Sequence, residues 1–130
     1  MAYDWVEHTG ELELAIVAPS QREVFEEGFD AMCELLACEG GRRIERTVVL
    51  EGRDLAVLLA DWLNELVVLA ETDGLVPERL ELIELRDDRL CARIEGRRGA
   101  PPHLVKAATY HRLTFDRTGD GWRARVVLDV

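Results

Sequence analysis

Residues 54–74, DLAVLLADWLNELVVLAETDG, constrain the fold more than any other stretch of the chain. Asp54 can cap a helix by accepting from its free N–H groups, and Gly74 can stop it. Between them Leu55, Leu58, Leu59, Trp62, Leu63, Leu66, Val67 and Ala70 cover most sides of the cylinder, so this helix must be deeply buried. Asp61, Asn64 and Glu65, at i, i+3 and i+4, form its one polar stripe. The chain's 130 residues are enough to enclose such a helix in one domain, 1–130, without disulfide or metal staples.

The remaining patterns supply what surrounds it. ELELAIV (11–17) alternates as a strand does. Ser20 with Glu23 three residues on forms a capping box, which predicts a helix to about Cys38 with Phe25, Phe29, Met32, Leu35 and Leu36 as its apolar stripe. Gly40-Gly41 ends it, and RRIERTVVLEG (42–52) returns as a strand. RLELIEL and RLCARIEG flank RDD as a hairpin. A Pro101-Pro102 loop, the segment HLVKAATYHRLTF, a glycine-containing turn and a terminal strand complete the chain. The expected architecture is α+β, a largely antiparallel β-sheet packed against two helices.

Composition narrows the function classes. The net charge is −10, from 26 acidic and 16 basic residues, the wrong sign for a domain that grips a nucleic-acid backbone alone. Arg97-Arg98 and Arg123 with Arg125 are too sparse to reverse this, so no direct stable nucleic-acid binding is expected. Apolar runs reach about five or six residues, far short of the ~20 that span a bilayer, and MAYDWVEHTGE lacks the pattern of a signal peptide. Cys33, Cys38 and Cys91 are odd in number and lack Cys-x-x-Cys spacing, which favours reduced thiols and a cytoplasmic location. Lys106 is the only lysine, against fifteen arginines.

Three places could carry chemistry. DRTGDGW opens like a calcium loop, but the twelfth position, which needs a bidentate carboxylate, is Val127, so it reads as a hairpin turn. In KAATYHRLTF an unbulged strand puts Lys106, Ala108 and Tyr110 on one face and Thr109 and His111 on the other. His111 therefore acts beside Lys106 only if a bulge intervenes. On the last strand Trp122, Ala124, Val126, Leu128 and Val130 share the core face, while Arg123, Arg125, Val127 and Asp129 share the other. Asp129 next to the terminal carboxylate has two readings. It pairs with Arg125 at the surface, or the two carboxylates present hard oxygens to a divalent cation.

EHTGELEL, DLAVLLADWLNELVVLAETDGL, VKAATYH and DGWRARVVLDV, in this order, resemble the archease family over nearly the whole chain. The resemblance implies a small α+β protein that activates the GTP- and manganese-dependent RNA ligase of the RtcB type. That enzyme acts in tRNA splicing and RNA repair, and activation promotes its guanylylation and multiple turnover. It also implies a metal site from Glu11, Asp129 and Val130, with Ca²⁺ as the expected cation and Mg²⁺ or Mn²⁺ as alternatives. His8, Asp61, Glu65, Lys106 and Tyr110 match family motif positions with supporting roles. One departure is HTGE where the family has His-Thr-Ala-Asp: Gly10 replaces alanine, and Glu11, one methylene longer, replaces aspartate. Glu13, on the same strand face, is an alternative ligand.

The competing readings are a small metal-dependent phosphoester hydrolase using Glu11, Asp129 and Lys106, and a general chaperone. No glycine-rich phosphate loop, nucleophile elbow or histidine cluster supports the hydrolase, since His8, His103 and His111 are scattered.

Overall fold

The computed structural model describes residues 2–101 and 105–130, so His103 lies outside the described residues. Nine elements follow in order: β1 (Ala2–His8), β2 (Glu11–Ala18), α1 (Gln21–Leu35), β3 (Arg43–Glu51), α2 (Leu55–Thr72), β4 (Leu75–Arg86), β5 (Arg89–Arg98), β6 (Ala107–Arg117) and β7 (Trp122–Asp129). All strand pairings are antiparallel, as the α+β reading requires. They form two sheets rather than one, a four-stranded sheet of order β1-β2-β7-β6 and a three-stranded sheet of order β3-β5-β4.

Both helices start where their caps predict. Ser20 Oγ accepts from the Glu23 N–H at 3.1 Å, and Asp54 Oδ1 accepts from the Val57 N–H at 2.9 Å. The first helix ends at Leu35, three residues short of the expected Cys38. Tertiary pairing overrides local propensity there. The Gly41 N–H donates to the Arg98 carbonyl at 2.8 Å and the Arg98 N–H donates to Arg42 at 2.9 Å, drawing the chain out to β5. Strand β1 was not expected from the sequence. It is an edge strand with one neighbour, and only Tyr3 and Trp5 mark its inward face.

Helix α2 packs against β6 of one sheet and β4 of the other, which is why it is apolar on most sides. Trp62 is fully buried; its Nε1 donates to the Phe25 carbonyl at 3.2 Å, and its ring stacks on Phe29 at 6.1 Å. Ala124, Val126 and Leu128 of β7 join the same core. Val130 does not; the strand stops at Asp129, and Val130 is 44% exposed. The three cysteines are free thiols, half-buried, and burial followed by the Asp30 charge pushes Cys33 up to about 12. The DRTGDGW segment is the β6–β7 turn, closed by the Thr118 N–H donating to the Gly121 carbonyl at 2.8 Å.

Candidate functional site

The β1–β2 turn brings the first motif to one end of the four-stranded sheet. His8 and Glu11 are register partners across a two-residue turn, in which Gly10 takes φ +72, a left-handed conformation suited to glycine. Glu11 is in turn the register partner of Asp129, and Asp129 of Ala107. Direct partners share a face, so His8, Glu11, Asp129 and Ala107 form one row across four strands. The main chain pins this row. The Lys106 N–H donates to the Asp129 carbonyl at 2.9 Å, and the Val130 N–H donates to the Gly10 carbonyl at 3.4 Å.

Beside the row lies a cleft of about 470 Å³, lined by Trp5, Glu7, His8, Glu11, Glu34 and Val130 among others. Its charged lining residues are all acidic. Glu34, at the end of α1, accepts a hydrogen bond from the Tyr3 hydroxyl, and that bond with partial burial pushes Tyr3 up to about 12. Glu13, the alternative ligand, is buried beside Arg125 at 3.7 Å. The surface reading of Asp129 therefore fails in its partner, since Arg125 goes to Glu13. Glu11 is held by Arg112, whose Nη2 donates to Oε2 at 2.9 Å.

The polar stripe of α2 faces β6. Asn64 Oδ1 accepts from the Ala108 N–H at 3.3 Å, and Asp61 Oδ1 accepts from the Tyr110 hydroxyl at 2.5 Å. Ala108 pairs with the core residue Leu128, so the expected alternation does turn Tyr110 toward α2. The Asp61 hydrogen bond, with partial burial, raises the Tyr110 phenol above its ordinary 10.0. Glu65 is half-buried on the same helix face, while Lys106, just before β6, is exposed. Among the described residues no carboxylate lies within ion-pair distance of Lys106.

A bulge does intervene in β6. Its register jumps from Thr109–Val127 to Thr114–Arg125, setting residues 110–113 against a single residue of β7. His111 lies in this bulge, where its N–H donates to Thr109 Oγ1 at 3.3 Å. Arg112 lies there too, with φ 54. It is the site residue that sequence reasoning missed. Nothing in its spacing announces a left-handed arginine aimed at a glutamate 101 positions earlier.

The Archease protein family model matches residues 3–130. The chain belongs to the archease family. Curated archease relatives include one from Methanosarcina acetivorans, 32% identical over 98% of this chain and 95% of its own, and one from Archaeoglobus fulgidus, 29% identical over the full length of both. The fold is similar to a Thermotoga maritima crystal structure described as an archease and possible chaperone, with TM-score 0.71, 24% identity and coverage of 96% and 94%. It is also similar to the solution structure of Methanobacterium thermoautotrophicum protein 1598, with TM-score 0.73, 24% identity and 99% of both chains covered.

Whether this archease could hold the cation its motifs imply is a question about donors. Glu11 and Asp129 are brought together as paired residues, and carboxylate oxygens suit the hard cations Ca²⁺, Mg²⁺ and Mn²⁺. Among the described residues no three His, Cys, Asp or Glu side chains are grouped to hold a metal. One cationic group already sits against Glu11, the Arg112 guanidinium. The donor chemistry fits a hard cation, and the arginine stands where such an ion would be attracted.

Charge in this archease is sorted along the chain. Residues 1–39 carry ten acidic residues and only Arg22 as a base, whereas residues 40–130 carry sixteen acidic and fifteen basic. The β3-β5-β4 sheet is neutralised by Arg–Glu pairs such as Arg93 with Glu45 at 3.2 Å and Glu81 at 3.3 Å, and Arg89 with Glu84 at 3.0 Å. The negative excess therefore lies on β1, β2 and α1. Burial, followed by the Asp30 carboxylate, raises the carboxyl of Glu27 on α1, and burial raises Asp30 itself. No helix among the described residues is long and apolar enough to cross a membrane.

Proposed function

We propose that this chain is a non-catalytic activator of an RtcB-type RNA ligase in the cytoplasm, docking on the enzyme and promoting guanylylation of its active-site histidine. The observation that carries this reading is the pairing of Glu11 with Asp129 at an exposed strand end, next to Val130, within a chain of the archease family. Glu11, Asp129 and Val130 would hold a divalent cation, Ca²⁺ first and Mg²⁺ or Mn²⁺ as alternatives. Such a cation would supply positive charge for phosphate oxygens or for the partner's own metal centre. The protein's residues do the positioning. Asp61 and Asn64 of α2 fix the start of β6, and the backbone bond from Lys106 to Asp129 ties that strand to the carboxylate row. Lys106 and His8 would then meet a phosphate or a carboxylate of the partner. The acidic side formed by β1, β2 and α1 favours encounter with an enzyme that is basic around its RNA-binding surface.

The test is the rate of GTP-dependent guanylylation of the ligase from the same organism, with and without this protein. Full-length protein should accelerate it, and D129N or deletion of Val130 should remove most of the acceleration. No acceleration with both proteins folded, or full acceleration by D129N, would overturn the reading.

A further inference from the structure

We infer that Arg112 is a built-in competitor for the cation at Glu11 and Asp129, so that a divalent ion binds this chain more weakly than its carboxylates alone would allow. This rests on the cation reading above and deepens it. Register partners of like charge repel when directly opposite, and Glu11 faces Asp129. The repulsion calls for a positive charge on that face. Arg112 provides it from within the chain, at 2.9 Å from Glu11 Oε2.

The backbone is shaped to deliver this contact. Strand β6 leaves its ladder for residues 110–113, and Arg112 is the only non-glycine residue with positive φ among the described residues. An L-residue takes that conformation at a cost, so other interactions must hold it there. Strand β7 lies between β6 and β2, so the arginine has to cross β7 to reach Glu11. Val127, which alternates away from the core residues Val126 and Leu128 on β7, is nevertheless only 1% exposed. The guanidinium head neutralises Glu11.

The two cations compete for the same carboxylate. A divalent ion of this class draws its carboxylate oxygens to about 2.0–2.6 Å, and Arg112 already takes Oε2, one of the two oxygens Glu11 offers. A guanidinium left beside the ion would also repel it. The arginine is nevertheless displaceable, because the side chains of Arg112 and Glu11 are 49% and 30% exposed. Affinity at this site is therefore set by the arginine as well as by the ligands.

The measurement is Ca²⁺ and Mn²⁺ titration of the full chain by calorimetry, with folding of each variant checked by thermal melting. R112Q removes the charge, and R112G removes the charge and also suits the positive φ. R93Q, in the other sheet, is the control for net charge. The expected result is that both Arg112 variants bind about tenfold tighter or more, R93Q binds like the parent, and E11Q abolishes binding. Equal affinity for parent and R112Q, with binding still lost in E11Q, overturns the competition and leaves the cation reading standing. No millimolar binding by any folded variant removes the cation reading and the competition together.

Discussion

Tyr110 is 60% exposed, yet its hydroxyl is anchored 2.5 Å from Asp61, and the consequence is chemical as well as geometric. A carboxylate that accepts from a phenol loses that bond when the phenol ionises, so the proton is held more tightly. D61A, which removes the acceptor, should bring the Tyr110 titration back toward its ordinary 10.0 and leave Tyr3, held by Glu34 at about 12, unchanged. Following tyrosinate absorbance against pH checks this, and an unmoved titration in D61A would show that Asp61 is not the partner. Asp61 was legible in the sequence because a polar stripe on an otherwise apolar helix must face something polar. Its partner was not, since the face that strand alternation gives Tyr110, shared with Lys106 and Ala108, reads from spacing as a solvated one. Arg112 was not legible, because its contact depends on a bulge and a left-handed φ that no local pattern encodes.

The elements that carry the carboxylate row are held by turns as much as by pairing. Gly10 at φ +72 closes the β1–β2 turn, and a Cβ added there would meet nothing within 4 Å. The penalty for a side chain is therefore conformational alone, about 1 kcal/mol. G10A, which restores the alanine of the family motif, should lower the thermal midpoint by about 3–5 °C. An unchanged or raised midpoint would mean that the turn can adopt a negative φ. Both helices and most strands could be read from caps and periodicity, which are local signals. The division into two sheets could not, because it depends on which strand meets which across long separations. Strand β1 escaped notice for a related reason: an edge strand covered on one side leaves few apolar positions to count.

Across the whole molecule, the separation of an acidic side from an ion-paired Arg–Glu sheet has a kinetic meaning. Opposite charge speeds encounter with a basic partner, and salt screens it over a Debye length of about 8–10 Å. Association with the proposed ligase partner, followed by stopped flow, should slow several-fold as salt rises from about 50 to 300 mM. E26K with D30K on α1 should slow it similarly at low salt, whereas E45K with E81K in the β3-β5-β4 sheet, the same change in net charge, should change it less than about twofold. Equal sensitivity to both double reversals would show that net charge, not its placement, governs encounter. The pairing of Glu11 with the end of β7 also bears on how the protein is made. The Arg112–Glu11 contact joins positions 101 residues apart, and closing so long a loop is entropically costly. During synthesis β2 emerges early and waits for β7, its neighbour in the sheet, to leave the ribosome. Until then Glu11 has neither Asp129 nor Arg112 beside it, so the carboxylate row comes into being only when β7 pairs with β2.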